Sequence, residues 1–213
     1  MLALHFRSGF IRIHSFFYVR LARIHEADCS TVQASGYDVP ITLSQRFDRD
    51  IMSLRIIATG GTFDKHYFPL DGSLGFGASV LPEALARARL TEPCEFQSLM
   101  AIDSLDMQDH HRQQILAACK SAPESRIVIV HGTDTMCDTA AVLASATLGK
   151  TIVLTGAMVP YAIAGSDAMF NLGSAITAAS LSAPGVWIVM HAQVFAWNAV
   201  RKNRAAGIFE RSD

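Results

Sequence analysis

LRIIATGGT, residues 54–62, decides the fold. Leu54 to Thr59 is a short apolar run carrying β-branched Ile56 and Ile57, and Gly60-Gly61 stops it. Such a run is a buried strand. Downstream the pattern repeats. Phe96–Ile102 is a second candidate strand, ending at Asp103-Ser104. Met107–Cys119 then has helical spacing, with Met107, His111, Ile115 and Cys119 along one face. Arg126–Val130 (RIVIV) is a third strand, closed by His131-Gly132, and Thr135–Thr147 follows as a helix with Met136, Ala140, Leu143, Ala144 and Thr147 inward. Thr151–Leu154 is a fourth strand. Asp167–Ser180 is a helix burying Leu172, Ile176 and Ala179, and Val186–Met190 is a fifth strand. Apolar strands alternating with helices predict a doubly wound α/β domain of the flavodoxin/Rossmann-like kind: a mostly parallel sheet with helices on both faces.

Upstream, residues 1–51 have another character. Phe10 to Ile24 is apolar and aromatic, but Arg12, His14, Arg20 and Arg23 interrupt it, so it is too short and too charged for a membrane span. It lacks the uninterrupted apolar core and small-residue cleavage site of a secretory signal. The first acidic residue is Glu26, which gives the opening a basic, amphipathic presequence-like look. The plainer expectation is an extension, disordered or from an over-long start, before a domain spanning 52–213.

Composition narrows the function. The 213 residues are 50% hydrophobic with a formal net charge of -1, which suits one globular domain and gives no reason to expect a nucleic-acid or membrane partner. Cys29, Cys94, Cys119 and Cys137 are scattered, without C-x-x-C or ligand-spaced histidines. Neither structural zinc nor a disulfide framework is expected, and a reducing cytoplasm fits. His110 and His111 are adjacent, so on a helix they diverge and cannot form an i, i+4 metal pair.

In a sheet of this kind ligands bind outside the carboxyl ends of the strands. There the sequence places Thr59-Gly60-Gly61-Thr62, Asp103-Ser104, His131-Gly132-Thr133-Asp134-Thr135 and Thr155-Gly156-Ala157. Small hydroxyls, glycines and acids at four strand ends suit a small polar molecule, with the helix after Asp134 pointing its positive end at it. Gly60-Gly61-Thr62 breaks the dinucleotide spacing, and no Walker-type loop or G-x-S-x-G is present. Hydroxyl nucleophiles remain. A threonine needs a base, an acidic partner and an oxyanion stabiliser. The edge supplies Thr62, Thr133 and Asp134, with Lys150 as the basic candidate if it folds back from the start of the fourth strand.

These segments resemble the bacterial-type L-asparaginase/glutaminase family. The resemblance covers about Leu54 to Glu210 and rests on Ala58–Thr62, Asp103–Met107, His131–Met136, and Gly149-Lys150 leading into Thr155–Met158, with Ser166–Ala168 and Asn171 beyond. It implies Thr62 as primary nucleophile and Thr133, Asp134 and Lys150 as a second catalytic group, with Asp134 also binding the substrate's α-amino group. Ser104 and Asp103 would bind the substrate, Ser104 taking its α-carboxylate. Backbone N–H groups around Gly61-Thr62 and Gly132-Thr133 would hold the oxyanion. The implied reaction is acyl transfer to threonine with loss of ammonia, then hydrolysis to aspartate, with no metal or organic cofactor. The family's flap tyrosine corresponds to Tyr67, on a lid from Phe63 to Ser79 that carries Gly72, Gly75 and Gly77. Full-length members continue into a smaller second domain that lends an acid to a neighbouring protomer, whereas this chain stops at Asp213; the expectation is a short, single-domain relative or a fragment.

Structural roles compete for the same residues. Thr62, Thr133 and Asp134 can cap turns and helices. Ser104 can start a helix, Lys150 can be solvated, His131 can be a packed histidine, and Arg201–Arg204 reads as a solvated charge run. The leading expectation is an L-asparagine amidohydrolase that works on a small-molecule substrate as a homo-oligomer, since sheet edges favour association. The alternatives are a non-catalytic amino-acid-binding module, or an amidase for L-glutamine or another small amide.

Overall fold

The computed structural model describes residues 54–212 throughout, and in the preceding part the backbone of four short strands with their pairing. The chain separates into two compact units, Met1–Arg49 and Asp50–Asp213. In the first, β1 (Phe10–Ile13) pairs antiparallel with β2 (Phe17–Arg20), and β3 (Thr31–Ala34) with β4 (Tyr37–Pro40). The presequence-like reading of Phe10–Ile24 and the extension reading of 1–51 fall largely outside the described residues.

The second unit is built on β5 (Leu54–Gly60), β8 (Cys94–Ile102), β9 (Arg126–Val130), β10 (Thr151–Thr155), β11 (Gly185–Met190) and β12 (Gln193–Ala196). Their order across the sheet is β12-β11-β10-β9-β5-β8; all neighbours are parallel except β12. Between them run the helices α1 (Leu81–Ala88), α2 (Asp109–Ser121), α3 (Met136–Ser145) and α4 (Ala168–Leu181). This is the doubly wound arrangement expected. Strand alternation divides the core between the two faces. Ile57, Ile127, Ile129 and Ile152 pack with Ile115 of α2 and Met136 and Leu143 of α3. Ile56, Ala58, Val128 and Val153 pack with Leu81 of α1 and Leu172 and Ile176 of α4. Among the described residues no helix is long and apolar enough to cross a membrane.

The five strand positions were legible from apolar runs; several smaller elements were not. The lid contains a hairpin of β6 (Lys65–Phe68) and β7 (Ser73–Phe76), and α1 follows it. A last hairpin joins β13 (Arg201–Asn203) to β14 (Ile208–Glu210). Thr147, expected inward, is exposed, because α3 ends at Ser145 and Thr147 lies in the turn beyond it with φ 44°.

Chain order fixes where a ligand can sit. From β5 the chain steps to β8 on one side and then to β9 on the other, so the strand order reverses between β5 and β9. The carboxyl ends at such a switch point form a crevice.

Candidate active site

The turns after β5, β8 and β9 meet at this switch point through glycines. A Cβ on Gly61 would lie 2.4 Å from both Cα and N of Gly132, and one on Gly132 would lie 2.5 Å from Cβ and Oγ of Ser104. Gly61 also has φ 74°, a conformation costly for L side chains. The two glycines therefore let three backbone turns touch. Gly61 N–H donates to the Ile102 carbonyl at 3.0 Å, and Thr59 Oγ1 donates to the Val130 carbonyl at 2.9 Å, which fixes the register of the three strand ends.

Thr62 opens a single 3-10 turn, Thr62–Asp64, between buried Gly61 and fully buried Phe63. Phe63 stacks on Tyr161, with ring centroids 6.1 Å apart, and its carbonyl accepts the Tyr161 N–H. These anchors leave Thr62 partly exposed. Asp64 is buried and its Oδ1 accepts from Ser79 Oγ at 3.0 Å and Val80 N–H at 2.9 Å, so both ends of the lid segment are pinned at one carboxylate.

Thr133 and Asp134 follow β9. Asp134 N–H donates to Ser104 Oγ at 3.2 Å, and Thr135 Oγ1 donates to the Ser104 carbonyl at 2.8 Å. Ser104 is thus a bracket between turns, with its residue 1% exposed. His131 is a packed histidine: Nδ1 lies 2.7 Å from the Gly132 carbonyl and Nε2 lies 2.9 Å from Thr139 Oγ1. The first contact makes Nδ1 the protonated nitrogen, leaving Nε2 to accept from Thr139. Burial pushes its pKa down to about 4, opposed in part by the Gly132 hydrogen bond.

The basic group beside Thr133 is Lys202, not Lys150. Lys202 Nζ donates to Thr133 Oγ1 at 2.7 Å and to Asp134 Oδ1 at 2.9 Å. Its side chain is 11% exposed and that of Asp134 is 30% exposed. Arg204 Nε stands 3.8 Å from the same Oδ1. Lys150 instead donates to the carbonyls of Cys119, at 2.8 Å, and Ala122, where α2 ends. The reason is topological. Lys150 precedes Thr151, which pairs with Arg126 at the start of β9, whereas Thr133 lies beyond Val130 at its end. At ~3.3 Å per residue, parallel strands put the two roughly 15 Å or more apart. The charge run 201–204 is solvated at its ends, where Arg201 and Arg204 are exposed, but not at Lys202. Lys202 pairs across the β13–β14 hairpin with buried Phe209, so it occupies the inward face, while Arg201 Nε and Asn203 Nδ2 both reach Glu210.

Asp103 and Tyr67 are placed differently from each other. The Asp103 carboxylate is already engaged: Oδ2 accepts from Lys65 Nζ at 2.5 Å and Oδ1 from Leu105 N–H at 3.1 Å. Burial disfavours its charge, but the Lys65 hydrogen bond, the Leu105 N–H and the charges of Lys65 and Lys202 together hold it below the ordinary carboxylate range. Tyr67 is 57% exposed on β6, opposite Leu74, and is not drawn into the Thr133–Lys202 network.

The turn after β10 frames the site from the side. The Asp167 carboxylate accepts the N–H groups of Met158 and Val159, and fully buried Asn171 donates to the Gly156 carbonyl and to Asp167 while accepting from His191 N–H. A Cβ on Gly156 would lie 2.4 Å from the His131 carbonyl, so this turn too is pressed against the one after β9.

Known proteins share this architecture. A model of the N-terminal asparaginase domain matches residues 53–209. L-asparaginase 1 of Escherichia coli K12 is 30% identical over 165 residues, covering 73% of this chain and 48% of that protein. A glutamyl-tRNA(Gln) amidotransferase component from Pyrococcus abyssi is 32% identical over 145 residues, covering 65% of this chain and 33% of its own length. Among solved structures, the L-asparaginase of Thermococcus kodakarensis superposes with a TM-score of 0.68 at 28% identity, covering 75% of this chain and 51% of that one. The chain thus spans about half the length of these asparaginases, and a smaller share of the amidotransferase component. The switch-point site and the matched span together show that the chain belongs to the asparaginase family, over the family's N-terminal domain.

Proposed function

We propose that the protein is an amidohydrolase that converts L-asparagine and water to L-aspartate and ammonia through a threonyl ester. The observation that carries this reading is the hydrogen-bonded group Thr133–Lys202–Asp134, on a turn whose Gly132 is pressed against Gly61, the residue before Thr62. Thr62 Oγ1 attacks the side-chain amide carbon while its hydroxyl proton passes to Thr133 Oγ1, whose own proton moves to Lys202. That proton is returned to the amide nitrogen as the C–N bond breaks and ammonia leaves, and water then hydrolyses the ester, giving a proton back to Thr62 Oγ1. Lys202, as the amine, accepts the Thr133 hydroxyl proton, and as the ammonium it stabilises the oxygen left behind. Asp134 holds Lys202 in place and offers its other oxygen to the substrate's α-ammonium. Since Gly61 N–H and Asp134 N–H are engaged by Ile102 and Ser104, the oxyanion falls to N–H groups of Thr62 and Thr133. Ser104, bracketing the turns, is the proposed partner of the α-carboxylate, and Tyr67 the lid residue that closes over the substrate.

Ammonia release from L-asparagine by the purified full chain, beside its Thr62→Ala and Thr133→Ala variants, tests the reading; retained turnover in both variants would remove both threonines from it. One other reading has support: a relative is named as part of a glutamyl-tRNA(Gln) amidotransferase, which favours an amidase for L-glutamine or a larger amide. Competition between asparagine and glutamine decides between them.

We place the protein in a reducing compartment, the cytoplasm, because Cys94, Cys119 and Cys137 are free thiols. A homo-oligomer is the proposed assembly, since β8 and β12 form the two edges of the sheet.

A further inference from the structure

Lys65 carries a charge that the amide chemistry does not use. It lies three residues past Thr62 on β6, at the base of the lid hairpin, with Nζ 5.8 Å from the ring centroid of Phe76, its cross-strand partner. Its ammonium lies 2.5 Å from Asp103 Oδ2, and the two side chains are 21% and 28% exposed. Asp103 adjoins Ser104, the residue proposed to receive the substrate's α-carboxylate.

We propose that Lys65 is a specificity-determining positioning residue: by neutralising Asp103, it permits a substrate carboxylate to dock at Ser104. The inference rests on the asparaginase reading above. An unpaired carboxylate at Asp103 would face the incoming one across the distance between adjacent residues. Among mostly shielded groups that repulsion is only partly screened by water and salt. With Lys65 in place the charge of Asp103 is cancelled, and Arg204 stands beside the Lys202–Asp134 pair. Without Lys65 the edge is one charge more negative, and the negative group stands next to the docking point. A purely structural ion pair would instead affect all substrates alike.

The experiment compares L-asparagine with its α-carboxamide (the diamide of aspartic acid), which keeps the reacting amide and lacks the α-carboxylate. KM and kcat are measured for the full chain, Lys65→Met, Asp103→Asn and the double variant, with melting temperatures alongside. For Lys65→Met the expected result is a KM for L-asparagine raised about tenfold with kcat within about twofold, and a KM for the diamide that does not follow it. The double variant should recover most of the loss, and Asp103→Asn alone should lower the KM for L-asparagine. Equal effects on both substrates, or no recovery in the double variant, would overturn the proposal. If Lys65→Met does not fold, Asp103→Asn decides: a raised KM for L-asparagine makes Asp103 a direct ligand and refutes the neutralising role. A wild-type chain that turns over neither substrate removes the asparaginase reading and this inference with it, whereas active wild type with an unaffected Lys65→Met removes this inference alone.

Discussion

Lys202 Nζ lies 2.7 Å from Thr133 Oγ1, although the two residues are 69 positions apart in sequence. The contact joins a short terminal hairpin to the turn after β9, and Asp134 completes it from the same turn. It places an amine, a hydroxyl and a carboxylate in one group at the crevice where β5 and β9 end.

Exchanging lysines separates that group from the rest of the fold. Lys202→Met is expected to lower kcat for asparagine by about a hundredfold or more, the usual scale for losing a positioned proton-transfer group. Lys150→Met should leave kcat unchanged and cost about 1 kcal/mol of stability, because Lys150 serves the carbonyls at the end of α2. Steady-state kinetics and thermal melts of both variants check the contrast.

The glycine contacts predict a failure of folding rather than of chemistry. Gly61→Ala and Gly132→Ala each drive a Cβ into neighbouring backbone or Ser104, so each should cost more than about 3 kcal/mol. Urea titrations of these variants should show midpoints well below wild type, or no cooperative transition.

The same logic of close packing explains how far the sequence could be read. Leu54–Gly60 and Arg126–Val130 announce themselves because both faces of a central parallel strand are covered, so nearly every residue is apolar. Thr62 and Thr133 were legible because glycine-rich turns follow those strands directly. Lys202 was not. Its hairpin strands have three residues each, too short for a periodic signal, and the exposed Arg201 and Arg204 around it make the stretch read as a solvated run. The available signal was Phe209: an isolated aromatic in the following strand, buried to 1% exposure, marks the inward face on which its partner Lys202 lies. Lys150 misled because its role required it to fold back from the start of the fourth strand, whereas its ammonium serves the carbonyls of Cys119 and Ala122 at that same end of the sheet.

His131 predicts a pH dependence of stability. Burial lowers its pKa to about 4 in the folded chain, against ~6.5 when unfolded. The unfolded state therefore binds the extra proton first. The contribution is complete above about pH 6.5 and falls away as pH drops toward 4, a loss on the order of 3 kcal/mol. Denaturation midpoints between about pH 7 and pH 4.5 should decline accordingly, and the imidazole of His131 should stay neutral by NMR down to about pH 4. An imidazole that titrates near its unperturbed value in the folded protein contradicts its buried, neutral role.

Tyr67 stands on an exposed hairpin, so its substitution should touch function without touching stability. Tyr67→Phe is expected to lower kcat about tenfold with melting unchanged, the pattern of a lid residue that meets substrate only on closure. An unchanged kcat would remove Tyr67 from the proposed site.

Ammonia release from L-asparagine, measured for the wild-type chain, Thr62→Ala and Lys202→Met, tests the central claim most directly. Turnover by the wild type and its loss in both variants is the predicted result. No release by the wild type, or release that survives both substitutions, would contradict the account.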